Sequence, residues 1–192
     1  YEVVVEIKDK TNYTWVDGTQ DNLAFVFVIS KMTPQMISEP TFSSVYAGQK
    51  LSAVEISGGS MSVAGEFSWE NPNFTLANGE NSVRIIFTPD NFENCNVWVG
   101  NATVVATQIT LTFASNNDAL GYVSTQELSV DYGTVLSVSD DNLFIGGATV
   151  TALPRVFEDV FVSFTSWTNA VAGLITAPIT ITANFEIAGI IA

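Results

Sequence analysis

Apolar and polar positions alternate with a period of two along most of this 192-residue chain, the signature of strands with one buried face. Tyr1, Val3, Val5 and Ile7 share one face of a first predicted strand, and Leu23, Phe25, Phe27 and Ile29 one face of a second. Asn12 and the turn pair Asp17-Gly18 lie between them. Farther along, Val83, Ile85 and Phe87 align within SVRIIF, and Phe87-Thr88-Pro89-Asp90 closes that strand. NVWVGNATVVA carries Val97, Trp98 and Val99. Ile109, Leu111 and Phe113 alternate, as do Val150 and Ala152, and then Ile179, Ile181, Ala183 and Phe185. No stretch reads as a long helix. Gly, Asn, Asp and Pro recur at intervals of roughly ten residues, the spacing of an all-β sandwich.

The pattern divides into blocks at 1–33, 34–107 and 108–192. Pro34 and Pro40 bracket MTPQMISEP, which reads as a stiff linker, because proline restricts the chain and withholds an N–H. The first block predicts only two strands, and an isolated hairpin is at best marginally stable in water. Leaving Val3, Val5, Ile7, Phe25 and Phe27 uncovered would forfeit about 1.5–3 kcal/mol for each large side chain. It would also leave an open edge that templates further pairing.

Composition narrows the function. Six Lys and Arg against 20 Asp and Glu give a net charge of -14, which repels phosphate backbones and anionic membrane surfaces. No apolar run reaches the roughly 20 residues of a membrane helix. Histidine is absent, removing the commonest general base and transition-metal ligand. Cys95 is the single cysteine, so no disulfide closes within the chain; it reads as a small buried hydrophobe, with an intermolecular link as the alternative. The start at Tyr1, with no signal peptide ahead of it, is expected of a processed or partial product.

The chemical candidates are few. Glu66 and Glu70 flank Trp69, but on a strand both point away from Phe67 and Trp69, as a solvated face rather than the carboxylate pair of a glycosidase. The serines, threonines and lysines lack a base to activate them, so no enzyme is expected. Asp9, Asp17, Asp21 and the pair Asp140-Asp141 read as turn acids, with Ca2+ at a module junction as the weaker reading; no other cofactor is implied. Asn12, Asn73 and Asn101 each open an Asn-x-Thr sequon and are candidate glycosylation sites. Trp15, Trp69, Trp98 and Trp167 read as core anchors, with Trp15 the one to test for contact with a glycan.

The middle block resembles the Ig-like tandem repeats (MBG or YDG type) of prokaryotic cell-surface proteins, through Tyr46, Gly48, Gln49, Leu51, Gly58, Gly59, Gly65, Phe67, Trp69, Phe87, Thr88 and Pro89. It departs where Asn94-Cys95 replaces the usual Asn-Tyr. The closing block is similar to an internalin-type B-repeat, through Gly121-Tyr122-Val123, Tyr132-Gly133-Thr134, Thr151-Ala152, Phe164, Trp167 and Ala183-Asn184-Phe185. The opening block resembles the back half of another MBG-type module, through Lys8–Thr19 and Ile29–Lys31. The resemblance implies tandem Ig-like sandwiches, the first incomplete, in a structural or adhesive protein at the cell surface.

Two occupants of the incomplete module stand open: a strand from another copy, or pairing within one continuous domain with residues 34–107. For the first, the tail EIAGIIA is the expected donor, with Ile187, Ile190 and Ile191 as pocket fillers. The expected function is then the subunit of a surface filament, polymerised head to tail from identical copies. The alternatives are the stalk of a large tandem-repeat adhesin and, behind it, a carbohydrate-binding module contacting cell-wall or surface glycans.

Overall fold

The computed structural model describes residues 1–190, so Ile191 of the expected donor lies outside the described residues. The protein is all-β, with its sheets packed in layers. β1 (Glu2–Val5) and β2 (Leu23–Val26) form an antiparallel two-stranded ribbon, Val3 opposite Phe25 and Val5 opposite Leu23. The backbone N–H of Phe27 donates to Tyr1 O at 2.7 Å, carrying the ribbon one residue further.

Residues 34–107 build the second body. β3 (Met36–Phe42) pairs with β5 (Ile56–Met61), and a four-stranded sheet runs β4 (Val45–Tyr46), β8 (Trp98–Thr107), β7 (Gly79–Pro89), β6 (Gly65–Trp69). Alternation along β7 buries Val83, Ile85 and Phe87. Val83 joins Val45, Leu51, Leu76 and Val104 in a core closed by Phe42 and Trp69, whose rings sit 5.1 Å apart. Trp69 satisfies its indole N–H on Val54 O at 3.1 Å.

The stretch from Pro34 to Pro40 is not a linker. Pro34 is fully buried, and Pro40 lies inside β3, opposite Gly58. Among the described residues β3 has β5 as its one strand partner, and an edge is where a ladder tolerates proline's missing donor.

Residues 108–190 form a sandwich of two sheets. One runs β11 (Glu127–Val130), β9 (Ile109–Ser115), β17 (Ile179–Ile190), β15 (Val160–Thr168). The other runs β10 (Gly121–Val123), β14 (Ala148–Pro154), β13 (Asn142–Ile145), β12 (Val135–Ser139), β16 (Gly173–Leu174). Ile109, Leu111, Phe113 and Ile181 from the first sheet meet Leu136, Leu143, Ile145 and Val150 from the second.

The second and third bodies join almost without slack. Gln108 alone separates β8 from β9, and its side-chain amide donates to Asp131 Oδ1 at 2.9 Å. The N–H of Tyr132 donates to Ala47 O at 2.7 Å, and Tyr46 packs against the core of the third body. Gly48 holds φ +89°, and a Cβ there would stand 2.7 Å from Tyr132 O.

Candidate interaction surfaces

The β1–β2 ribbon is exposed on both faces. On one stand Tyr1, Val3, Val5, Leu23, Phe25 and Phe27, with Phe25 49% exposed, and on the other Val4 and Val26. Ile7 is half-buried and Ile29 exposed. The β7–β8 hairpin supplies an internal comparison: β6 fills the outer edge of β7, and β4 caps the end of β8. Among the described residues, no strand fills the outer edge of β1 or β2.

Beyond β2, the chain anchors to the loop between β7 and β8. Met32 N–H donates to Asn94 O at 2.9 Å, and Asn96 N–H donates back to Met32 O at 2.8 Å. Lys31 Nζ donates to Phe92 O at 2.5 Å, and Asn96 Nδ2 to Thr33 Oγ1 at 3.2 Å. This contact buries Cys95 as a free thiol. Val3, Phe25 and Phe27 of the ribbon stay exposed.

The carboxyl-terminal stretch is not a separate donor strand. Glu186–Ile190 continues β17, and its residues pair with β15: Glu186 with Ser163, Ile187 with Val162, Gly189 with Phe161, Ile190 with Val160. Strand continuity from the buried Phe185 explains this, since Phe164 packs against it with ring centroids 6.1 Å apart. The parallel ladder with β9 stops at Ala183–Ser115. There the Asn116 side chain accepts from Phe185 N–H at 2.9 Å and donates to Phe185 O at 3.2 Å, standing in for the next strand residue. Past that clamp, β15 and β17 run on as a second two-stranded ribbon. The register leaves Val160, Val162, Ile187 and Ile190 on the face that carries Phe164 and Phe185 in the core. That face continues beyond the core: Ile187 is 56% and Ile190 78% exposed. Asn116 escaped the sequence reading; its one signal is an Asn directly after a strand.

The remaining candidates are dispersed. Asp9 accepts Asn12 Nδ2 at 2.8 Å, and this bond, helped by the Asn12 and Thr11 N–H groups, holds its carboxyl below the ordinary range. Asp17 is held low by the Thr19 N–H and hydroxyl. Asp21 gives its main-chain oxygen to Trp15 Nε1 at 2.6 Å. Asp140 adopts φ 49° in a turn, and Asp141 accepts from Asn142 Nδ2 at 2.6 Å. Among the described residues, no group of three Asp, Glu or Cys side chains assembles into an ion site. Asn12, Asn73 and Asn101 are all exposed; Asn101 lines a cleft of about 400 Å3 with Met36, Phe42 and Ile85. Glu66 is exposed, and Glu70 lies 3.5 Å from Arg84. Trp98 lies across Gly100, where a Cβ would meet the indole at 2.0 Å, and Trp167 packs on Phe164.

Comparison with protein-family models, curated proteins and solved structures returned no match.

Proposed function

We propose that this chain is an extracellular, non-enzymatic structural protein, the subunit of a surface fibre whose copies are joined by β-strand complementation. One observation carries the reading: among the described residues, the β1–β2 ribbon keeps both edges open and an apolar face in water, while the β7–β8 hairpin has strands on both sides. An uncovered strand pair of this kind calls for strands from elsewhere. The composition supports an exterior setting through scarce lysine, a charge of -14 and three exposed sequons. The likeness to MBG-type and internalin-type repeats points the same way. Identical copies are the partners, and no cofactor enters the reading.

A second reading, the stalk of a tandem-repeat adhesin, is favoured by the junction between the second and third bodies. One intervening residue and a locked Ala47–Tyr132 contact suit a stiff spacer. Negative-stain electron microscopy of the purified chain at rising concentration separates the two. Fibres whose length grows with concentration support the subunit; single rods at every concentration leave the stalk.

A further inference from the structure

We infer that the β15–β17 ribbon of one copy covers the apolar face of the β1–β2 ribbon of the next copy, so that two half-sandwiches from different molecules close one. This rests on the fibre reading and takes face-to-face packing of ribbons, rather than pairing at their edges, as the contact that would serve it. Sandwiches form when two sheets bury their apolar faces against each other, and each ribbon offers one such face uncovered. The match in extent is close: four residue pairs hold β1 to β2, and four hold Val160–Ser163 to the end of β17. Val3, Phe25 and Phe27 supply the head face, Ile187 and Ile190 the tail face.

Charge disfavours contact between two tails. Residues 1–33 carry three of the six cations, against five acids; residues 108–192 carry one cation against eight acids. Lys8 and Lys10 follow β1, while Glu158 and Asp159 precede β15 and Glu186 stands within the tail ribbon. Head-to-tail contact brings these lysines toward these acids, whereas tail-to-tail contact sets eight acids against eight. The two surfaces differ, so the contact is heterologous and repeats along a fibre unless its rotation closes a ring.

The test uses two double variants of the full chain. Val3→Asp with Phe25→Asp disables the head, and Ile187→Asp with Ile190→Asp disables the tail. All four positions are exposed and outside the cores, so both variants keep the second and third bodies folded; Val3 and Phe25 face each other across the ribbon, so two Asp there weaken the ribbon itself. In sedimentation velocity, the wild type polymerises, each variant alone stays monomeric, and an equimolar mixture stops at dimers. A tail variant that still polymerises overturns the assignment of the β15–β17 face and leaves the fibre reading standing. A monomeric wild type overturns both, and slow amide exchange in its β1–β2 ribbon would show that its own chain covers the head. A second measurement covers variants that misfold: Phe25→Cys and Ile187→Cys chains, each with Cys95→Ser, are mixed and oxidised. A mixed disulfide is expected between them; disulfides confined to Phe25→Cys with itself would establish head-to-head contact and overturn the proposal.

Discussion

At the residue scale, the core divides into positions that the alternation announces and one that it does not. Leu143, Ile145 and Ile181 are apolar, inward and buried, as their strands' period requires. Leu143→Ala would leave a cavity at the centre of the third body and lower stability by about 2–5 kcal/mol, read as an earlier chemical-denaturation midpoint. Asn81 breaks the rule. It is a buried polar side chain on the core-facing side of β7. Its carbonyl accepts from Ala77 N–H at 2.9 Å, and its amide donates to Ala77 O at 2.8 Å and Gly79 O at 3.0 Å. It replaces strand partners for a turn that has none. Asn81→Ala strands those backbone groups and should cost about 1–3 kcal/mol in denaturant unfolding. Period places Asn81 on the inner face, yet nothing in a pattern says which main-chain atoms will fold back to meet it. Asp9 and Asp17 show the same local economy in the long β1–β2 loop. Both carboxyls are held low by hydrogen bonds, so their support is present above the unfolded-state carboxylate range and is lost as pH falls through the lower folded values. Trp15 fluorescence should therefore stay constant from neutral pH to about pH 4 and change below it; a change centred near neutrality would contradict this assignment.

At the element scale, strands of half-buried sheets were the readable part. β7, β9 and β17 follow their apolar registers, because one face of each is buried and a slip by one residue would turn every side chain over. In the sequence β3 reads as a linker because two prolines mask its pattern. The masking is physical: an edge strand needs fewer donors, so proline costs it little. The tail reads as a donor strand because EIAGIIA is apolar and the first block lacks strands, while its actual pairing depends on β15, some 25 residues earlier, which no local window contains. The junction between the second and third bodies was likewise invisible, since it rests on Gly48 meeting a turn more than 80 residues away. Gly48→Val tests it. Both the positive φ and the approach of Tyr132 O exclude a branched side chain, so the variant should lose about 1–3 kcal/mol. Hydrogen exchange at the Tyr132 amide should accelerate, while amides at the centre of β17 remain protected.

At the scale of the whole molecule, two forces oppose each other in any association of copies. Apolar ribbons at the two ends of the chain favour contact, and a charge of -14 on every copy resists it. The attraction is short in range, acting once Ile187, Ile190, Val3 and Phe25 lose their water. The repulsion reaches as far as the ionic atmosphere allows, roughly 30 Å at 0.01 M salt and about 8 Å at 0.15 M. Lys8 and Lys10 soften the approach at the head, but two lysines do not offset fourteen net charges, so screening removes more repulsion than attraction. Assembly should accordingly be slow in dilute buffer and accelerate as salt rises to physiological strength, with light scattering as the measure. A Glu158→Lys, Asp159→Lys variant inverts the local balance. It places cations opposite Lys8 and Lys10 but also takes the net charge from -14 to -10, so its assembly should respond more steeply to salt than that of a Glu39→Lys, Glu66→Lys variant of the same net charge, because only the former adds a local repulsion at the joint. Equal salt slopes in the two variants would mean that the lysines and these acids never meet, and that the ends of the chain join by some other route.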